Sequence, residues 1–241
     1  MSPCMPGGDS GDSILGGQPE EATIPSRSTA VAQTQVARTQ RQGWKLYQTI
    51  RYLLRWLRWW ARLEVKGLEN LPARGPALVV SNHDAWLDPL VILEAMMWRE
   101  RQLRFLAKST LWKSRIIAWI LDGAAQIPIR RGQSDTAALE NAVEALGRGE
   151  TVGIFPEGTL SRGENLRARR GVSRLSKACP GVPVVLVAVE GGTELKRFPK
   201  RPRVRIEFFA PAGGQPRADE DPAELAQRLM DEIRDRVPAT R

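Results

Sequence analysis

From residue 63 onward the sequence alternates short apolar runs with stretches of helical periodicity, and that alternation most limits the folds open to it. Leu63–Lys66, Ala77–Val80, Leu103–Ala107, Gln126–Ile129, Thr151–Phe155, Val182–Val189 and Val204–Phe209 read as strands. Between and after them, helices are expected over Pro89–Trp98, Ser109–Leu121 and Ser134–Leu146, within the basic stretch ending at Ala178, and from Pro222 to about Arg236. Strands separated by helices of this length need crossover connections rather than hairpins. The expected fold class is therefore α/β, a largely parallel or mixed sheet flanked by helices. Asp88-Pro89 and Asp221-Pro222 carry the same helix-start signal, an Asp cap followed by Pro at the first helical position. No internal repeat or second core is visible, so residues 63–241 are expected to form one domain.

The N-terminal part is different in character. Residues 1–43 are rich in Gly, Ser, Pro, Thr and Gln and read as a disordered tail, without the basic start and apolar core of a signal peptide. Residues 44–62 place Arg51, Arg55, Arg58 and Arg62 in one narrow stripe of a helix. Leu46, Ile50, Leu53, Leu54, Leu57 and Trp60 fill the remaining circumference, and Tyr52, Trp56 and Trp59 border the stripe. That pattern predicts an amphipathic membrane-interface helix, and it equally fits a helix capping the domain's own core. The charges are too frequent for a transmembrane span, which needs about 20 mostly apolar residues.

A net charge of +9 calls for an anionic partner, either a phosphorylated substrate, an anionic membrane surface or nucleic acid. The basic stretches Arg162–Lys177 and Lys196–Arg205 are short of the interleaved aromatics of single-strand binders, and no DNA-binding motif is recognisable, so no nucleic-acid partner is expected. One histidine and two scattered cysteines, Cys4 and Cys179, offer no metal-ligand spacing, and neither a metal nor a cofactor is expected.

His83 is the chain's only histidine, on the stretch leaving the apolar run Ala77–Val80. Near neutral pH it is the one imidazole available as a general base. Asp88 follows five residues later and would orient it. A continuous helix would set the two about 140° apart, so a dyad requires the chain to turn between them. Two further loops follow expected strands: Ile127-Pro128-Ile129-Arg130-Arg131-Gly132 and Phe155-Pro156-Glu157-Gly158-Thr159. In sheets of this class ligands bind beyond the carboxyl ends of the strands, where all three loops would lie.

Taken together and in order, these stretches resemble the motifs of the 1-acyl-sn-glycerol-3-phosphate O-acyltransferase family of glycerolipid acyltransferases, over about residues 62 to 210. Asn82–Pro89 is similar to the family's first motif, His and Asp separated by four residues. Phe105–Leu111 resembles the following lysine-containing stretch, Ile127–Arg131 the second motif, Phe155–Thr159 the third and Val182–Val185 the weaker fourth. Leu160 stands where many members carry an arginine, with Arg162 as a replacement cation, and Leu186 stands where a second proline is usual. The resemblance implies acyl transfer from an acyl-CoA or acyl-carrier-protein thioester to a lysophospholipid hydroxyl, at the cytoplasmic side of the cell membrane and peripheral to it. It implies His83 and Asp88 as catalytic residues and Arg131 on the acceptor's phosphate. Glu157, Gly158, Thr159 and Lys108 are implied as further substrate-binding residues. Glu157, barred by its charge from the phosphate, is expected at the glycerol hydroxyl or orienting Arg131. A different lysolipid acceptor is the alternative within this chemistry, and a non-catalytic basic binding protein the alternative outside it.

Overall fold

The computed structural model of the protein describes residues 54–55, 58–130, 135–193 and 201–237. The expected tail and most of the 44–62 segment lie outside the described residues. In chain order the elements are β1 (Arg62–Lys66), β2 (Ala77–Ser81), α1 (Asp88–Met97), β3 (Leu103–Lys108), α2 (Arg115–Gly123), β4 (Ile127–Ile129), α3 (Thr136–Gly147), β5 (Thr151–Ile154), α4 (Gly171–Ala178), β6 (Val184–Glu190), β7 (Arg203–Phe209) and α5 (Pro222–Arg234). Short 3-10 turns occupy Leu68–Asn70 and Ser109–Lys113.

The strands form one seven-stranded sheet in the order β1-β7-β6-β2-β5-β3-β4. From β6 to β4 every pairing is parallel, while β7 runs antiparallel to β6 and carries β1 alongside it. The expected mixed α/β architecture is thus what the chain adopts. Each strand distributes its side chains to two cores by the two-residue period of a pleated strand. Ala77 and Val79 of β2, with Val185, Val187 and Val189 of β6, join α1 on one face. Leu78 and Val80, with Val184, Leu186 and Ala188, meet α3, α4 and α5 on the other. A strand buried on both faces must be apolar throughout, which is why β2 and β6 read as continuous runs rather than alternations.

One expected element is divided. Ser109–Leu121 is not a single helix: the 3-10 turn ends at Ser114, whose extended backbone (φ −87°, ψ 121°) starts α2 afresh. The indole of Trp112 donates to Asp122 Oδ1 at 2.7 Å and folds the turn back along the helix. At the N-terminal end, Leu54 and Trp60 are buried in the core shared with α1, whereas Trp59 is exposed. Among the described residues no helix is long and apolar enough to cross a membrane.

Candidate active site

Because β2, β3, β4, β5 and β6 are mutually parallel, the loops that follow them leave the sheet at one edge. The loop after β2 is central, between the ends of β5 and β6. It is anchored by Asn82, whose Nδ2 donates to the carbonyl of Val189 and whose Oδ1 accepts from the Val189 N–H, both at 2.8 Å. This side chain continues the β2–β6 ladder past the point where the main chain turns away.

The turn required between His83 and Asp88 is present. The N–H of Asp88 reaches back to the carbonyl of Ala85 at 3.2 Å, and His83 Nδ1 lies 3.4 Å from Asp88 Oδ2. That separation is slightly longer than a formed hydrogen bond of roughly 2.7–3.2 Å. Both residues are buried, Asp88 completely. Asp88 is not the cap expected from Asp-Pro: α1 begins on Asp88 itself, and its carboxylate accepts from the Ala85 N–H at 2.6 Å. At Asp221 the same dipeptide does cap, with the side chain accepting from the N–H groups of Ala223 and Glu224. The difference is the inward-facing pull of Ala85 and His83 on Asp88. Burial pushes the Asp88 carboxyl above the ordinary range, and the neighbouring imidazole and the Ala85 N–H oppose that rise.

The imidazole is held from its flat side as well. It stacks on Phe155 at 4.2 Å, and Phe155 stacks on Phe105 at 4.8 Å. Phe105 has room because residue 153 is glycine; a Cβ there would meet its ring at 2.5 Å.

The main chain of His83 is gripped by the third loop. Its N–H donates to Glu157 Oε2 at 2.8 Å, and its carbonyl accepts from the N–H of Ser161, also at 2.8 Å. Glu157 thus holds the main chain of the loop after β2, a contact that the sequence alone does not show. It is buried, and its other oxygen accepts from Arg234 of α5. Arg234 also donates to both oxygens of Asp84, at 3.0 and 2.9 Å, and to Ser161 Oγ at 2.9 Å. Ser161 Oγ and Asn82 Nδ2 donate to Asp84 as well. Burial works to raise the Asp84 carboxyl, but hydrogen bonds from Arg234 and Ser161 outweigh it and hold the group below its usual range. For Glu157 burial prevails over Arg234, and its carboxyl stays raised. Two cations lie beside the third motif, Arg234 at Glu157 and Arg169 against Gly158, while Arg162 is exposed at φ 56°.

Lys108 ends β3 and Thr159 follows the third loop, both exposed; Gly158 adopts φ +67°, and Arg131 lies outside the described residues. Its neighbour Arg130 lines a cavity of about 560 Å³ together with Arg167, Arg169, Arg170, Arg174 and the single carboxylate Asp135. Phe155 forms part of the same wall and links the cavity to the back of the His83 ring. None of these five arginines is in an ion pair with another described residue. One further residue was not legible in the sequence. Gly192, beyond β6, lies against Asp88, and a Cβ there would overlap Asp88 Oδ1 and approach Ala85 Cβ at 3.3 Å. The Glu190-Gly191-Gly192 run was its only signal.

An α/β sheet presenting a buried His–Asp pair beside an arginine-lined cavity defines an enzyme-like site built for a base and an anion. The acyltransferase family profile matches residues 62–190, just over half of the sequence, and the chain belongs to the acyltransferase family. Among curated relatives, a lyso-ornithine lipid O-acyltransferase of Pseudomonas aeruginosa is 36% identical over 140 residues, covering 55% of this chain and 52% of that protein. A chloroplastic 1-acyl-sn-glycerol-3-phosphate acyltransferase of Arabidopsis thaliana is 31% identical over 133 residues, 54% of this chain and 36% of that one. The Bacillus subtilis 1-acyl-sn-glycerol-3-phosphate acyltransferase is 26% identical over 152 residues, 62% and 73% of the two chains. The chain thus spans only about a third to a half of the first two of these relatives. In fold it is similar to PlsC, the 1-acyl-sn-glycerophosphate acyltransferase of Thermotoga maritima, with a TM-score of 0.59 at 23% identity, over 88% of this chain and 84% of that one.

Proposed function

We propose that the protein moves a fatty acyl group from an acyl thioester to the free hydroxyl of 1-acyl-glycerol-3-phosphate, giving phosphatidic acid, at a membrane surface that it binds peripherally. The observation that carries this reading is the His83–Asp88 pair backed by Phe155, a ring that also lines the five-arginine cavity. An alcohol is a poor nucleophile at neutral pH. His83 Nε2 removes its proton as the oxygen attacks the thioester carbonyl, and Asp88, facing Nδ1, holds the ring and stabilises the imidazolium. The tetrahedral intermediate collapses by breaking the C–S bond, and the thiolate recovers its proton from His83. No enzyme nucleophile takes part, and no metal or cofactor is required. The arginine cavity suits a phosphate by charge-assisted hydrogen bonds.

The relatedness to a lyso-ornithine lipid O-acyltransferase, together with Leu160 at the third motif's usual arginine position, favours a second acceptor, a lysolipid without phosphate. The five arginines, without an ion pair among the described residues, weigh against it, because a zwitterionic head group brings them no net negative charge. The deciding experiment incubates the full chain with acyl-CoA or acyl-carrier-protein donors and a panel of lysolipid acceptors. Product from lysophosphatidate that disappears in His83→Ala supports the proposal. Transfer only to phosphate-free acceptors, or unaltered turnover in His83→Ala, refutes it.

A further inference from the structure

Helix α2 is barely buried for a helix of a folded domain. Of its nine residues only Gly123, at its end, is buried, whereas eight of the ten residues of α1 are. At about 100° per residue, Trp119, Ile116, Ile120, Ile117 and Leu121 fill an arc of roughly 200°, and Arg115, Ala118 and Asp122 the remainder. Three residues of the apolar arc are exposed, Ile116 at 74%, Trp119 at 61% and Ile117 at 40%, while Ile120 and Leu121 are half-buried; Leu111 on the preceding turn is exposed too. Asp122, on the polar side, is occupied by the Trp112 indole. The flanking exposed charges are Lys113 and Arg115.

We infer that the exposed face of α2 is a membrane-docking surface, and that its occupant is the interface of a bilayer containing anionic lipid. Aliphatic side chains and an indole bracketed by cations are what such an interface binds. The apolar groups enter the acyl boundary, Trp119 lies at head-group depth, and Lys113 and Arg115 meet the lipid phosphates. A second copy of the chain fits less well. A helix about 13 Å long and about 10 Å across presents a face on the order of 130 Å², far short of the roughly 800 Å² per partner of a stable interface. A symmetric contact would also repeat Lys113 and Arg115 on both sides. The inference rests on the reading that the acceptor is drawn from a bilayer. It gives the domain a membrane contact of its own, separate from the expected helix over 44–62.

The test measures sedimentation of the full chain with phosphatidylcholine vesicles, with and without phosphatidylglycerol, in the absence of turnover, so docking and catalysis fail separately. Ile116→Glu and Trp119→Glu are each expected to lower vesicle partitioning about tenfold, with the thermal midpoint in solution unchanged. Lys113→Glu is expected to weaken binding several-fold on anionic vesicles only. Ile116→Ser with Trp119→Ser repeats the test without added charge. Unaltered partitioning in the apolar variants overturns the inference. So does a lowered thermal midpoint in solution, which assigns the face to packing within the chain, or a dimer that dissociates in these variants.

Discussion

Replacing Arg234 by methionine isolates how much of the site's order comes from a helix that ends about fifty residues after Val182–Val185, the last of the motif-like stretches. In the native protein one guanidinium neutralises two buried carboxylates, bonding both oxygens of Asp84 and one of Glu157. Removing one partner of a buried pair costs about 3–5 kcal/mol, because the charge left behind has no water to turn to. Here two are left behind. The loss at neutral pH should reach the upper part of that range, a large share of a total stability of about 5–15 kcal/mol. The sign of its pH dependence follows from Asp84. A carboxyl held below its unfolded value, ordinarily 3.8, contributes stability that is present above that value and is lost as pH falls through the folded pKa. In Arg234→Met burial prevails at both acids, so both titrate above their unfolded values. The variant's deficit is then largest near pH 7 and narrows as pH falls toward 5. Urea unfolding at the two pH values measures this directly. Arg234→Lys keeps the charge without the bidentate geometry and should fall between the two proteins. A deficit below about 1 kcal/mol at pH 7, the ordinary value for an exposed pair, or one that does not narrow with acid, refutes the reasoning.

Gly192→Ala should leave the fold intact and lower kcat by an order of magnitude or more, since its methyl group can be accommodated only by displacing Asp88 Oδ1; steady-state kinetics with far-UV dichroism as the folding control check it. Asp88→Asn should lower kcat by roughly three to four orders of magnitude while the acceptor still binds, the scale seen when a triad carboxylate becomes an amide; product formation and equilibrium binding are measured in parallel. Charge reversal at Arg169 and Arg174 together should raise the KM for a phosphate-bearing acceptor at least tenfold with kcat little changed, and the effect should shrink in high salt.

The sheet was legible because its strands are buried on both faces. Leu78 and Val79 point to opposite cores, so neither position tolerates a polar residue, and the run announces itself. Where one segment had to be divided, the reason was a single side chain. Residues 109–121 carry a continuous helical period, but the Trp112–Asp122 bond and the extended backbone of Ser114 break it. Propensity is averaged over a window, and a hydrogen bond between residues ten apart is not visible to it.

Within the site the division falls between residues that touch the reacting groups and residues that hold those in place. His83 and Asp88 were legible because general-base chemistry restricts the choice to the chain's one imidazole and a carboxylate within reach of it. Glu157 was legible as a residue of the loop after β5, but the contacts of its carboxylate were not. Sequence spacing shows that a carboxylate follows β5, not that its oxygens are taken by the His83 N–H and Arg234. Arg234 itself occupies an unremarkable position on a charged helix, where the common reading is a solvated side chain. Only the packing of α5 against the face that holds Leu78 and Val80 brings its guanidinium to Asp84. That contact gives Asp84 a purpose that the His-x4-Asp spacing leaves open. It joins the loop after β2, the loop after β5 and the last helix into one charged unit. The imidazole is therefore positioned by three elements far apart in the sequence, and α5 belongs to that scaffold as much as the two loops do.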